Sequence, residues 1–205
     1  MPAVQAQVAL DTARTLLNDD SGNLFSNTVL MPKLIQAFRQ MQADLRINAA
    51  SIMISTNVQN IALGTPLITI ADINEPIKLW EKAQGAGDDT YSPMTEYDPL
   101  PNDVGAATLR YWDWDGTQIN FIPCTVSRTV KTRYWRTLTE PIDGTSSLIF
   151  INAEYYLAPM TAAIMVGTLG EDEQMTALAA QAVTSLKMII DANRGRQAPP
   201  DSTRP

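Results

Sequence analysis

The sequence predicts an α+β chain: a four-helix bundle-like body, a β-rich insertion between its second and third helices, and a C-terminal tail. Three observations carry this. Apolar residues recur at helical spacing before residue 50 and again after residue 147, the stretch between is built of short β-branched runs broken by Gly, Pro and Asn, and the last eleven residues, GRQAPPDSTRP, have almost nothing to bury. The helical body is therefore expected from 1–50 plus 147–194, the insertion from 51–146 and a flexible tail from 195–205.

The first helix follows from Val8, Ala9, Thr12, Ala13, Leu16 and Leu17, and NDDSGN (18–23) ends it with turn and breaker residues. Ser26 or Asn27 can cap the second, with Pro32 tolerable only near the first turn, where no intrahelical donor is lost. Leu30, Leu34, Phe38, Met41 and Leu45 then fall on one stripe, away from Lys33, Arg39, Gln40 and Asp44. After Ala50 the helical period disappears, and short strands are expected at 52–55, 67–70, 77–82, 108–114, 117–122 and 129–135. GAGDDTYSPMTEYDPLPND (85–103) reads as a long loop and a contact arm, because long loops in compact domains are usually functional.

Helical texture resumes near Leu148. LIFINAEYYLAPMTAAIMVGTLG is apolar on nearly every side, with Pro159 expected to kink it and Gly167 and Gly170 near its end. Asn152, Glu154, Pro159 and Thr161 argue against a membrane span, since polar groups in hydrocarbon are expensive. Burial, in its own domain or under a neighbouring subunit, is the better reading. Glu171, Asp172 and Glu173 suit the start of a last helix running to about Asn193, whose apolar face takes in Met175, Leu178, Ala179, Ala182, Val183, Leu186, Ile189 and Ile190. The tail beyond it should be disordered until a partner orders it.

The densest aromatic stretch is YWDWDGTQINF (111–121). With Asp115-Gly116 as the central pair of a type I′ turn, Trp114 opposes Thr117, Asp113 opposes Gln118 and Trp112 opposes Ile119. Trp112, Trp114, Ile119 and Phe121 then share one face, and Asp113, Gln118 and Asn120 the other, as a half-buried hairpin requires. A hydrolase using Asp113 with Glu96 or Asp115 would need two environments that push two carboxylates apart, and none is visible. A calcium loop begun at Asp113 fails, because its sixth and twelfth positions hold Gln118 and Cys124. A sugar platform of Trp112 and Trp114 remains as an alternative function, but aromatics on an apolar strand face are more often core or subunit contact.

Composition narrows the function further. A chain of 205 residues with 45% hydrophobic content can bury one core, or one core with a satellite, and a single compact unit is expected. Fifteen basic against twenty-two acidic residues give a formal charge of -7, opposing general adhesion to phosphate backbones and anionic lipid. With no histidine, the commonest general base and metal ligand is missing. No P-loop, dinucleotide fingerprint or nucleophile elbow is present, so neither cofactor nor metal is expected. The lone Cys124 cannot close an intrachain disulfide, though an intermolecular one stays open. The N-terminus lacks the features of a signal peptide. Lys131 and Arg133 fall on the opposite strand face from Arg128 and Arg136, which splits an apparent basic cluster.

In serial order the chain resembles the head-to-tail adaptor (connector) proteins of tailed bacteriophages. The resemblance rests on LLNDDSGNLFSNTVLMPKLIQAFRQMQADL (16–45), EPIKLWEKAQG (75–85), SPMTE (92–96), LP (100–101), YWDWDGTQINF (111–121), EYYLA (154–158) and AAI (162–164). It implies a non-enzymatic homo-oligomeric ring in the virion neck, commonly a dodecamer, assembled in the host cytoplasm. Such a ring docks under the portal protein at the capsid vertex, extends a channel through which DNA passes without specific binding, and offers a platform to tail or nozzle proteins. Another neck, tail-completion or carbohydrate-binding virion component is the alternative. Carried over, portal contact falls on Arg194, Arg196, Gln197, Pro199, Pro200 and Arg204, and tail-side contact on Asp88, Asp89, Tyr91, Met94, Trp112 and Trp114. The apolar third helix would find its neighbour in the next subunit of the ring.

Overall fold

A computed structural model of the chain describes residues 4–102, 105–148 and 152–194. In order these form β1 (Val4–Gln5), α1 (Ala6–Leu16), α2 (Asn27–Ile47), β2 (Ile54–Ile61), β3 (Leu67–Ile68), β4 (Ile73–Ala83), β5 (Ser92–Pro93), β6 (Thr95–Glu96), β7 (Tyr111–Trp114), β8 (Ile119–Phe121), β9 (Arg128–Arg136), β10 (Ser147–Leu148), α3 (Glu154–Thr168) and α4 (Asp172–Arg194). The fold is α+β, with four helices and two four-stranded sheets among the described residues. Instead of the single unit that length suggested, there are two compact units with separate cores. One draws on residues within 1–52 and 138–200, the other on residues within 53–137.

In the helical unit, α3 packs against α1, α2 and α4. The stripe on α2 is buried as its spacing predicts, from Leu30 through Leu34, Phe38 and Met41 to Leu45. Pro32 sits in the second turn of α2, because that helix begins at Asn27, where the Ser26 carbonyl accepts the Val29 and Leu30 amides. At α3 the expectation needs two corrections. Leu148 does not open the helix; it pairs with Val4 in the β1–β10 ladder, and the Ser146 and Gly144 carbonyls take the first amides of α1, at Ala6 and Gln7. Nor does α3 need another chain to cover it. Nine of its 15 residues, including Leu157, Met160 and Val166, are buried within this unit. Among the described residues no helix is long and apolar enough to cross a membrane.

Helix α4 buries a narrower stripe than its period suggested. Leu178, Ala182, Ser185, Leu186 and Ile189 are inward, while Val183 is 54% exposed, because α4 packs mainly on α3 alone. Segment 138–148 closes against α2: the Gln42 side-chain oxygen accepts the Leu138 amide at 2.8 Å, and Arg39 donates to Glu140 at 2.6 and 2.9 Å.

The α1–α2 connection is organised by Asp19. Its carboxylate accepts the amides of Phe25 at 2.7 Å and of Leu24 and Asn23 at 3.1 Å. Burial pushes this carboxyl up, but those three amides and the Ser21 hydroxyl outweigh it and hold its pKa below the usual range. A carboxylate with a depressed folded pKa contributes stability above its unfolded pKa of 3.8, and that stability is lost as pH falls through the folded value. Thermal melts of the intact chain between roughly pH 5 and 2 should show a steep acid loss, shallower in Asp19→Asn; identical slopes would remove Asp19 from this role.

In the β unit the sheets run β2-β9-β4-β5 and β3-β8-β7-β6. Several strands shift from their expected bounds: β2 and β4 are longer, and β7 starts at Tyr111 rather than at 108. Pro76 is tolerated in β4 because it adjoins two register shifts and lies outside the short pairing with β5. Ile61, Leu79, Trp112, Ile119, Phe121 and Val130 lie at the heart of the core. Inside the sheet Arg128 pairs with Glu81, whose side chains are 12% and 5% exposed. Cys124 is 2% exposed and donates its thiol to the Val126 carbonyl, so it is closed to an intermolecular disulfide.

Candidate functional site

The hairpin of residues 111–121 pairs Trp112 with Phe121, Asp113 with Asn120 and Trp114 with Ile119. This is two residues away from the type I′ register. That turn needs positive φ at both central residues, whereas here Gly116 alone adopts it, at 92°. Asp115 instead closes a longer turn by accepting the Thr117 amide, the Gln118 amide and the Thr117 hydroxyl, all at 2.9 Å. The Thr117 and Gln118 amides are the main reason its pKa lies far below the ordinary carboxylate range. A carboxylate engaged in this way serves to close the turn. A slip of two preserves which residues share a face, and Trp112 at 2% exposure, Ile119 and Phe121 do face the core, with Trp114 packed against it. Trp112 and Trp114 therefore form no exposed sugar platform.

Of the other residues expected on the tail side, Met94 is buried in the same core. Asp88 and Asp89 lie in an exposed 3-10 turn, followed by half-buried Tyr91. Arg194 is the last residue of α4, and Arg196, Gln197, Pro199, Pro200 and Arg204 lie outside the described residues. No three acidic or cysteine side chains gather at metal-binding distance among the described residues.

The face of β4 and β9 turned away from the core is cationic and aromatic. Strand alternation puts Lys78, Trp80 and Lys82 of β4 beside Lys131 and Arg133 of β9. The Lys78 ammonium lies 5.3 Å from the centre of the Trp80 ring, and the Lys82 and Lys131 ammoniums 4.8 and 5.5 Å from that of Tyr91. Lys82 also donates to Asp88 at 2.6 Å, a contact that lifts the lysine pKa and lowers that of the aspartate. Beside these groups opens a groove of about 330 Å³, lined in part by Val58, Asn60, Lys82, Asp88, Tyr91 and Lys131. The alternation in KLWEK carries part of this in the sequence, whereas the cross-strand partner Lys131 and the Tyr91 cap do not show there.

The second sheet is of opposite character. Strands β3, β6, β7 and β8 contain no lysine or arginine. Thr95 registers with Tyr111 in the parallel β6–β7 pair, and the Tyr97 amide donates to the Trp112 carbonyl at 2.8 Å. Tyr97 and Tyr111 meet edge to face, ring centres 5.7 Å apart and planes at 61°. Asp113 and its partner Asn120 lie beside them, half-buried, on the face turned from the core, and Tyr97 is 52% exposed. The sequence singled out this region for its tryptophans. The tyrosines, which come together only through the parallel pairing, are the accessible aromatics.

The model of the SU10 adaptor protein family matches residues 5–204. No curated protein matches the chain.

Proposed function

The chain belongs to the SU10 adaptor protein family, and from that premise we propose that this phage adaptor forms a homo-oligomeric ring, commonly twelvefold, beneath the portal at the capsid vertex. The ring lengthens the DNA channel on one side and presents an attachment platform for the tail on the other. The match along residues 5–204 is the observation that carries this reading.

Two physical features support it. A formal charge of -7 suits a wall along which DNA slides without adhering. The exposed turn at Asp88–Thr90 and the hairpin of residues 111–121 offer the β unit's polar, aromatic surfaces to neighbours, and tail-side contact is assigned to them. Met94 and Trp112, being core residues, support the surface from behind and do not touch a partner. The role is structural, and no reaction is assigned to any side chain.

The purified chain mixed with its cognate portal and imaged by electron microscopy should show a ring of added density under the portal. Portal particles indistinguishable from those without the chain would overturn the proposal.

A further inference from the structure

We propose that the outward face of β4 and β9, at Lys78 and Arg133, seats the Glu171-Asp172-Glu173 corner between α3 and α4 of a second copy of this chain. The inference rests on the oligomeric reading above and names the two surfaces that meet.

The receiving face goes against the charge of the chain. With a formal charge of -7 overall, the outward side of β4 and β9 still gathers Lys78, Lys82, Lys131 and Arg133. Lys82 is spent on Asp88, and Lys131 lies between the Trp80 and Tyr91 rings, 5.9 and 5.5 Å from their centres. Lys78 and Arg133 are different. They are exposed, face each other directly across the β4–β9 ladder, and make no ion pair among the described residues. Like charges directly opposite each other destabilise a sheet, and a carboxylate brought from outside relieves that repulsion.

The same chain carries a matching occupant. Glu171-Asp172-Glu173 is the one run of three acidic residues in the sequence. All three are exposed, and their side chains have no hydrogen bond or ion pair among the described residues. The dipole of α4 favours negative charge at this end, but it does not account for Leu169, an exposed leucine two residues earlier. On the receiving face the exposed Val58 of β2 registers with Lys131, and Thr56 with Arg133. Each surface therefore sets one apolar side chain beside its charges. Nucleic-acid phosphates would also meet the two cations, but they give Val58 nothing to pack on, and the net charge of the chain opposes them. Because the two surfaces are unlike and every copy has both, their contact is head to tail, the kind from which rings close.

The test uses full-length chains on the cognate portal. Lys78→Glu with Arg133→Glu should abolish the ring density seen by electron microscopy, and so should Glu171→Lys with Asp172→Lys and Glu173→Lys. One chain carrying all five reversals should restore the ring, because opposite charges meet again at every junction. A second measurement needs no substitution: rings assembled from equal parts of nitrogen-14 and nitrogen-15 chains are treated with a carbodiimide, which joins an ammonium to a carboxylate it touches. Mass spectrometry should find Lys78 linked to 171–173 in peptides of mixed isotope. Links only within one chain, links absent altogether, or rings indifferent to the reversals would overturn the proposal. Duplex DNA retained by the unmodified chain and released by Lys78→Glu with Arg133→Glu, while the ring persists, would make nucleic acid the occupant instead. Rings that form without the predicted link sink this seat alone, whereas no added density with the unmodified chain sinks the adaptor reading itself.

Discussion

Replacing Arg128 by alanine is expected to destabilise the β unit by about 3–5 kcal/mol, the usual cost of leaving one charge of a buried pair uncompensated. Glu81 is 4% exposed and comes from the strand next to β9, and both the Nε and terminal nitrogens of Arg128 donate to one of its oxygens. Truncation removes both donors while the carboxylate stays inside the sheet. Replacing Glu81 and Arg128 together by methionine should recover most of the loss, because two apolar side chains of similar volume leave nothing unsolvated. Urea unfolding followed by tryptophan fluorescence isolates the effect: Trp80, Trp112, Trp114 and Trp135 all lie within the β unit. A single-variant loss under about 1 kcal/mol would mean that water reaches Glu81 and that the pair behaves as a surface pair.

The second large effect is expected in the helical unit. Tyr156 is 0% exposed at the centre of the α3 packing, and its hydroxyl donates to the Asp44 carboxylate of α2 at 2.6 Å. Tyr156→Ala should cost about 3–5 kcal/mol, by analogy with other buried aromatics whose loss leaves a cavity. Tyr156→Phe keeps the ring and removes only the charge-assisted hydrogen bond, at a cost of about 1.5–3 kcal/mol. The two variants therefore separate packing from hydrogen bonding when helix content is followed by circular dichroism.

Burial, then the contact with Asp44, pushes the Tyr156 phenol well above its ordinary value of 10.0. A raised folded pKa contributes stability fully present below the unfolded pKa and lost as pH rises through the folded one. The native chain should thus weaken above roughly pH 10, and Tyr156→Phe should remove that part of the alkaline loss. Equal alkaline slopes in the two proteins would assign it to other groups.

Much of the fold is legible as faces. The α2 stripe from Leu30 to Leu45 and the separation of Arg128 from Lys131 follow from local period, because side-chain direction repeats every 3.6 residues in a helix and every two in a strand. The hairpin shows where that stops. Its faces survive the register difference because a two-residue slip conserves parity, but the register was set by the carboxylate of Asp115 capturing two amides, a contact that Asp-Gly turn preference does not encode.

The candidate site was legible only as a neighbourhood. Residues 85–121 stood out, yet their accessible chemistry passes to Tyr97 and Tyr111, which meet through a parallel strand pair, while Trp112 and Met94 turn inward. The apolar character of α3 was plain, but not that α1, α2 and α4 of the same chain cover it. The partnerships of Glu81 with Arg128, 47 residues apart, and of Asp44 with Tyr156, 112 apart, were equally hidden. By itself the sequence determined which side of each element avoids water, since hydropathy and turn chemistry act over a few neighbouring residues. Only the tertiary structure decided what each side meets, because strand order, register and helix packing join residues distant along the chain through geometry that no local pattern contains.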